Sequence, residues 1–187
     1  ENGLPAGLFC INSGKIKLTT TGYDGKEQIL RLVKSGDIVG YMALLSNERY
    51  HCSAVTLEDA SICIIDKKYF FEAIESSPKL MFEVVRKMSQ DLKVAEDHIV
   101  SLSQKNVRER MAEALLFLKA TYGFEEDNQT INVSLSREEI ADYVGTSTES
   151  CIRLLSEFNN DKLISLRGKK ISIVNLQKLI QTANIED

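Results

Sequence analysis

The stretch SREEIADYVGTSTESCIRLL, residues 136–155, decides the fold of this chain. Its apolar residues recur at helical spacing on both sides of Gly145, which predicts one helix over residues 137–144 and a second over residues 147–158. Gly145 lies where the first helix must end and the chain must reverse, a left-handed backbone position that favours glycine. The pattern therefore indicates two short helices joined by a tight turn.

Two capping boxes mark the starts of these helices. Ser136 with Glu139, and Thr146 with Glu149, provide side chains that satisfy the first backbone N–H groups of each helix. Five apolar residues are expected to face a shared core: Ile140, Val144, Cys151, Leu154 and Leu155. This arrangement is a helix-turn-helix, whose second helix lies in the major groove of DNA. The alternative for the helix pair alone is an ordinary corner of two helices.

A β-hairpin is predicted directly after the second helix. Two short apolar runs, residues 163–166 and 171–174, flank a basic turn that contains Gly168. A hairpin in this place is a wing, and its cations are expected to meet phosphate oxygens. Residues 130–135 alternate apolar and polar side chains, which predicts a further strand of the same small sheet. The order strand, helix, helix, hairpin is that of a winged helix.

The outward-facing positions of this unit are the expected DNA contacts. Glu149 and Arg153 are spaced i, i+4 and project from one face of the second helix, where arginine matches guanine and a carboxylate accepts from cytosine. The alternative is a surface ion pair with no reading role, worth a few tenths of a kcal/mol. The predicted DNA-binding residues are Ser136, Arg137, Ser147, Thr148, Glu149, Ile152, Arg153, Arg167, Lys169 and Lys170.

Composition limits the class of protein. With 187 residues, 43% of them hydrophobic, the chain is long enough for one or two globular domains. No run approaches the roughly 18 to 20 apolar residues that cross a bilayer, so no membrane contact is expected. The net charge of −4 argues against nonspecific coating of nucleic acid, yet residues 162–170 carry four cations and no acid. A site-specific DNA binder needs only such a local basic face.

The cysteines do not form a recognisable framework. Cys10, Cys52, Cys63 and Cys151 are widely separated, so neither a set of disulfides nor a metal site is predicted, and the reducing cytoplasm is the expected compartment. Cys10 and Cys52 would be a redox pair if folding brought them together. The favoured alternative is that both are small buried apolar side chains.

A long central helix is predicted over residues 78–105, which contain no glycine and have Pro78 at the tolerated first position. Its apolar residues fall at alternating steps of four and three for about three heptads, the seam of a two-stranded coiled coil. The predicted homodimer interface is Met81, Val85, Met88, Leu92, Ala95, Ile99 and Leu102. The alternative is a long helix packed on its own domain. A further helix is expected from Val107 to Gly123.

The N-terminal part differs in character. Short β-rich runs at residues 7–11, 15–19, 28–32 and 60–65 are separated by glycine turns, which predicts a β-roll or jelly roll. No strand candidate precedes Gly7, so the chain is expected to begin inside this domain. The predicted fold class is α+β, with a roll over residues 1–75, a dimerisation helix over 76–105 and a winged helix-turn-helix over 106–187.

The sequence resembles the Crp/Fnr family of bacterial transcription regulators over nearly its whole length. The resemblance rests on GLFCINSGKIKL, on GDIVGYMALLSNERYHCSAV, on the long helix, and on SREEIADYVGTSTESCIRLLSEF followed by RGKKISI. It implies a regulator that binds DNA as a homodimer, with RNA polymerase as a further partner if it activates. The alternative is a module of the same fold that senses or interacts without specific DNA binding.

The resemblance also implies a pocket near residues 40–54, where the family holds the phosphate and ribose of a cyclic nucleotide. The expected pocket residues are Gly40, Tyr41, Arg49, Cys52, Ser53 and Ala54. This chain departs from the family pattern, because Tyr41 stands where the ribose-binding glutamate would be and Cys52 where the phosphate-binding arginine would be. A cyclic nucleotide is therefore not expected, and no other cofactor is predicted. No catalytic residues are predicted either, because the sequence contains none of the common catalytic motifs.

Overall fold

Short strands separated by tight turns build the N-terminal part of the protein. The computed structural model describes residues 1–185. They form two compact units, one of residues 1–20 and 30–99 and one of residues 21–29 and Val100 onward, so the division falls within the long helix. The first elements are β1 (Gly7–Ser13), β2 (Ile16–Thr21), β3 (Glu27–Val33), β4 (Ile38–Val39), α1 (Tyr41–Ser46), β5 (Ser53–Thr56), β6 (Ser61–Asp66) and α2 (Lys67–Ser76).

Two three-stranded sheets form the roll, with strand orders β4-β1-β6 and β3-β2-β5. Side chains alternate across β1, as in any strand. Leu8 and Cys10 pack against one hydrophobic cluster, whose buried members include Tyr41, whereas Phe9 and Ile11 belong to a second cluster around Ile16, Val33 and Val39. The strands predicted from the sequence are confirmed, and β4, β5, α1 and α2 are additions to them.

The long helix α3 spans Pro78–Gln104, so the predicted central helix is confirmed. At about 1.5 Å per residue it is roughly 40 Å long. Val84 is the position at which it enters the core of the first unit, since that side chain is only 4% exposed. The predicted seam residues are all exposed in the single chain. They form a continuous apolar stripe on this helix.

The second unit contains α4 (Val107–Tyr122), α5 (Arg137–Val144), α6 (Thr148–Asn160), β7 (Ile164–Arg167), β8 (Lys170–Ile173) and α7 (Leu176–Ala183). Helix α4 begins at Val107 and is capped by Gly123, as predicted, and a capping box between Asn106 and Glu109 precedes it. Its face of Met111, Leu115 and Leu118 is buried, and it forms the core of the unit with α5, α6 and α7. No helix among the described residues is both long and apolar enough to cross a bilayer.

The strand predicted over residues 130–135 is wrong except at its start, where Thr130 bridges Ser172 of β8. Within it, only Thr130 and Ile131 make isolated β-bridges, and the chain then turns, because Val133 N–H bonds back to the Ile131 carbonyl at 2.8 Å. Ile131, Val133 and Leu135 are all buried, so the alternation of apolar and polar residues reflects one buried face of an extended segment. Only the start of the segment lies beside β8 as predicted, with bonds of 2.9 Å from the Ile131 N–H to the Ile171 carbonyl and from the Ile173 N–H to the Gln129 carbonyl.

Candidate nucleic-acid interface and effector pocket

Helices α5 and α6 meet at the turn that the sequence predicted. Gly145 has φ of 71° and caps α5, with its N–H bonded to the Ala141 carbonyl at 2.9 Å. A Cβ at this position would lie 2.8 Å from Cδ2 of Leu102 on the long helix. The left-handed backbone is what favours glycine here, since the Leu102 methyl is the mobile end of a side chain and could move away from a Cβ.

Helix α6 has one buried and one exposed face. Cys151, Leu154 and Leu155 are buried, as the helical spacing predicted, and Phe158 is buried with them. Glu149, Ile152 and Arg153 are exposed, and Ile152 remains 52% accessible although it is apolar. An accessible isoleucine between a carboxylate and a guanidinium is suited to contact base edges and thymine methyl groups.

The helix caps agree with prediction for α5 and differ for α6. The Ser136–Glu139 capping box is formed, with bonds of 3.1 Å and 2.8 Å in the two directions. The second box, between Thr146 and Glu149, is not the cap of α6. Ser147 takes that place, because its hydroxyl accepts the Ser150 N–H at 3.2 Å. With two hydroxyl residues in succession, the sequence pattern fits either start, and the path of the turn selects the later one.

Arg153 is held by a carboxylate on its own helix. Its Nη1 lies 3.4 Å from Oε1 of Glu157, one turn beyond it and away from Glu149. Glu157 in turn accepts a 3.1 Å bond from Arg108 of α4, and Arg108 also bonds Asp161 at 2.6 Å. Arg153, the side chain best suited to read guanine, is therefore oriented by Glu157, which is itself fixed by Arg108. The Arg153 side chain remains accessible.

The wing lies beside the N-terminus of α5. Strands β7 and β8 pair from Ile164↔Ile173 to Arg167↔Lys170. Nη2 of Arg137, the first residue of α5, donates to the carbonyl of Gly168 in the wing turn at 2.8 Å. Arg167 and Lys169 are exposed. Lys170 forms a 2.7 Å ion pair with Glu125, so one of the three predicted wing cations already has a carboxylate partner. The structure thus brings the predicted DNA-binding residues together in one unit.

A residue that sequence reasoning missed fixes the helix-turn-helix in place. Arg110 of α4 donates to the carbonyls of Val144 and Gly145 at 2.9 Å and 3.0 Å, and to the Lys105 carbonyl just after the long helix at 2.8 Å. Arginine near a helix C-terminus satisfies carbonyls that have no partner within the helix. Nothing in the local pattern of α4 indicates that Arg110 bonds to backbone carbonyls while Arg108, two residues earlier, pairs with the carboxylates of Glu157 and Asp161.

The first unit contains a cavity of about 180 Å³. Of the predicted pocket residues, Gly40, Tyr41, Cys52 and Ala54 line it, whereas Arg49 and Ser53 do not. Arg49 donates instead to the Asn2 carbonyl at 2.7 Å. At Gly40, φ is 90° and a Cβ would lie 3.1 Å from the ring of Phe9, which is why the chain needs glycine there.

Arg31 is the cationic side chain that the sequence analysis missed. It lines the cavity from β3, and its Nη1 lies 2.7 Å from Oδ2 of Asp91 on the long helix and 3.2 Å from the Tyr41 hydroxyl. The Tyr41 hydroxyl also donates to Asp91, and Lys87 completes the cluster at 3.1 Å from Oδ1 of Asp91. Burial, followed by the bond to Asp91, raises the pKa of Tyr41 to about 12. The hydroxyl therefore stays protonated and remains a donor.

This cluster of Arg31, Tyr41, Lys87 and Asp91, here called the floor network, joins the cavity to the long helix. The Arg31 and Asp91 side chains are 17% and 16% exposed, so their attraction is only partly screened by solvent. An arginine inside an apolar strand was the available signal for Arg31. Its partner lies on a helix 60 residues further along the chain, and local patterns do not show that pairing.

Cys10 and Cys52 do not meet. Phe9 lines the cavity together with Cys52, and Cys10, the next residue of β1, faces the opposite side of the strand. The redox pair considered from the sequence is therefore wrong. Burial raises the pKa of Cys52, as expected of a thiol lining a mostly apolar cavity.

Two family models match the chain in tandem. A model described as a cyclic nucleotide-binding domain matches residues 1–77. A model described as a Crp-like helix-turn-helix domain matches residues 109–182. The matched segments contain the cavity and the winged helix-turn-helix, respectively.

Curated relatives and solved structures agree with these matches. The fumarate and nitrate reduction regulatory protein of Vibrio cholerae is 32% identical over 181 residues, which are 95% of this chain and 71% of that protein. Its namesake from Yersinia pestis is 34% identical over 179 residues, 94% of this chain and 70% of the relative. FixK2 from Bradyrhizobium japonicum superposes with a TM-score of 0.89 at 22% identity, covering 100% of this chain and 92% of its own. A transcriptional regulator of the CRP/FNR family from Thermus thermophilus gives 0.81 at 25% identity, covering 99% and 93%.

Proposed function

The chain belongs to the Crp/Fnr family of DNA-binding transcription regulators, and from that premise we propose that it reads a pseudo-palindromic operator as a homodimer. The observation that carries this proposal is the exposed face of α6. There Glu149, Ile152 and Arg153 stand accessible beside the basic wing. Each chain has one such reading helix, so two chains related by a two-fold axis read two half-sites about 34 Å apart.

The dimer forms through the stripe on α3. Met81, Val85, Met88, Leu92, Ile99 and Leu102 remain between 37% and 64% exposed in the single chain. A row of large apolar side chains at heptad spacing loses this contact with water when two helices pair. The protein acts in the cytoplasm, where the operator lies. If it activates transcription, RNA polymerase is its further partner.

The cavity is the proposed entry point of the regulating signal. Its volume of about 180 Å³ is below the roughly 300–1,000 Å³ of pockets for drug-sized ligands, so a small ligand fits it best. Arg31 is the one lysine or arginine lining it among the described residues, and Asp91 already neutralises that guanidinium. A cyclic phosphate would have to displace Asp91, and Cys52 offers no positive charge in its place. We therefore propose regulation by a ligand other than a cyclic nucleotide.

DNA recognition and cyclic-nucleotide independence are tested together. Selection from random duplexes is expected to enrich a pseudo-palindrome with half-sites one helical turn apart, equally with and without millimolar cyclic AMP. In the same samples, cyclic AMP is expected to leave the melting temperature unchanged. A ligand at one hundred times its Kd would add about 2.7 kcal/mol and raise the melting temperature by several degrees. Enrichment that needs cyclic AMP contradicts the ligand proposal, and the absence of any enriched site contradicts DNA reading.

The floor network is the proposed route from the cavity to the dimer helix, because Arg31 and Tyr41 line the cavity while Asp91 and Lys87 belong to α3. Asp91→Asn removes the charge that receives Arg31 and Lys87. Hydrogen bonds to charged groups are worth about 1.5–3 kcal/mol, so we expect a loss of about 1–3 kcal/mol. In a chain of this size the melting temperature then falls by roughly 2–12 °C, with a parallel loss of operator affinity.

Asp97→Asn is the matched control, since Asp97 lies exposed further along the same helix. It removes one carboxylate of the same kind outside the floor network and is expected to leave melting and operator affinity unchanged. Equal melting temperatures for the two variants would show that the floor network does not stabilise the unit, and equal operator affinities would show that it does not carry a signal.

A further inference from the structure

Two cysteines far apart in the sequence lie directly opposite each other in the roll. Cys10 of β1 and Cys63 of β6 are register partners in the antiparallel pair. Side chains of directly opposed residues project to the same face of a sheet. Both sulfurs are therefore on one side of these two strands, and both cysteines are free thiols in the structure.

The strand geometry places them within reach of a disulfide. The neighbouring Ile11 exchanges backbone bonds with residues 36 and 37, on the β4 side, so the N–H and C=O of Cys10 face β6. Cys10 and Cys63 thus form the hydrogen-bonded type of pair, with Cα atoms about 5.5 Å apart. This lies within the range of about 4.4–6.8 Å between the Cα atoms of disulfides. The Cβ atoms of opposed residues, however, are about 4.5–5.5 Å apart, farther than the roughly 3.5–4.5 Å between the Cβ atoms of a disulfide. Such a bond is strained and readily reduced.

The two thiols differ in accessibility. Cys63 is exposed on β6, which is at the edge of its sheet, and solvent species reach it directly. Cys10 is half-buried and packs against the cluster that contains Leu8 and Leu44. Burial, and after it the neighbouring Cys63, raises the pKa of Cys10, which disfavours its thiolate. This is the arrangement of a first-reacting cysteine with a resolving cysteine beside it.

We propose that Cys10 and Cys63 form a reversible cross-strand disulfide and that this edge of the roll is a site of oxidation by peroxides. The Cys63 thiolate attacks one oxygen of hydrogen peroxide, so an S–O bond forms, the O–O bond breaks and hydroxide leaves. Cys10 then attacks the sulfenic sulfur, so the S–S bond forms, the S–O bond breaks and a second hydroxide leaves. The protons of the two thiols convert both hydroxides to water. The two sulfurs supply the two electrons that reduce the peroxide, and a small dithiol reverses the bond by exchange.

The other two cysteines are poorly placed for this chemistry. Cys151 is fully buried in α6, and burial raises its pKa to about 11. Cys52 lines the cavity and has no opposing cysteine in the strand pairs of the described residues. Oxidation is therefore expected to consume two of the four thiols of the chain and to leave two.

The test uses the purified full chain, treated with a few equivalents of hydrogen peroxide and then digested under non-reducing conditions. Trypsin alone leaves Cys52 and Cys63 on one peptide, so a glutamate-specific protease is added to cleave after Glu58. Mass spectrometry is expected to find the Cys10 peptide joined to the Cys63 peptide, with two thiols left per chain. Dithiothreitol is expected to restore all four.

Two serine variants control the assignment. Cys63→Ser, at an exposed position, is expected to abolish the joined peptide and leave Cys10 as a thiol, whereas Cys52→Ser is expected to give the joined peptide in full yield. A Cys63 that proceeds to sulfinic acid without joining Cys10 overturns the proposal. So does a disulfide between the Cys63 residues of two molecules, or a Cys10–Cys52 peptide.

Discussion

Replacing both Leu92 and Ile99 with lysine is expected to convert the dimer into monomers. These side chains are 61% and 64% exposed in the single chain, and in the dimer they lie along the seam of α3. The double substitution removes four buried apolar side chains per dimer, each worth about 1.5–3 kcal/mol, or roughly 6–12 kcal/mol in all. A dimer of micromolar Kd is held by about 8 kcal/mol, so the loss of burial alone is large enough to dissociate it. The introduced lysines repel one another in addition.

Loss of the dimer has a large effect on DNA binding. A monomer reads one half-site, so operator affinity is expected to fall from the roughly nanomolar range of specific complexes toward the micromolar range of nonspecific ones. Sedimentation velocity measures the assembly, and a DNA titration at fixed salt measures the affinity.

The matched control places lysines on the same helix outside the seam. Val94 and Val100 are 45% and 50% exposed and fall at the outer positions of the heptad. The Val94→Lys, Val100→Lys double variant adds the same charge to the same helix and is expected to remain a dimer with unchanged operator affinity. If the seam variant also sediments as a dimer, the coiled-coil interface is wrong.

Arg153→Ala is expected to weaken binding to the preferred operator by about 1–3 kcal/mol, roughly 5- to 150-fold, and to change binding to random DNA little. The guanidinium matches the O6 and N7 acceptors of guanine bidentately, and alanine offers neither donor. In the free protein Arg153 pairs with Glu157 at 3.4 Å, with the two side chains 68% and 41% exposed. Such a surface pair is worth about 0–1 kcal/mol, so a guanine contact outweighs it.

Lys169→Ala is the informative comparison, because Lys169 is an exposed cation on the wing turn. A phosphate contact carries no sequence information. The variant is therefore expected to weaken specific and random DNA alike and to reduce the slope of log K against log salt by about one. Equal losses on both DNAs for Arg153→Ala would assign that arginine to the phosphate backbone.

The winged helix-turn-helix could be predicted because its signals are local. Gly145 with its left-handed backbone, the Ser136–Glu139 capping box and the basic turn at Gly168 each depend on residues within a few positions of one another. The seam of α3 is of the same kind, since a heptad repeat is a property of one helix. The error at the start of α6, where Ser147 replaces Thr146 as the cap, is one residue in size because local signals locate an element better than its boundary.

Only the tertiary structure decided which distant residues meet. Arg31 pairs with Asp91, Cys10 faces Cys63 and Arg49 lies outside the cavity, and none of these placements follows from spacing in the chain. Sliding one strand by two residues preserves which side chains face inward but changes every partner across the ladder. The periodicity of the sequence therefore determined the longer elements and the buried faces of their helices. The register of the strands and the docking of the long helix, set by packing between remote segments, determined the floor network and the opposed thiols.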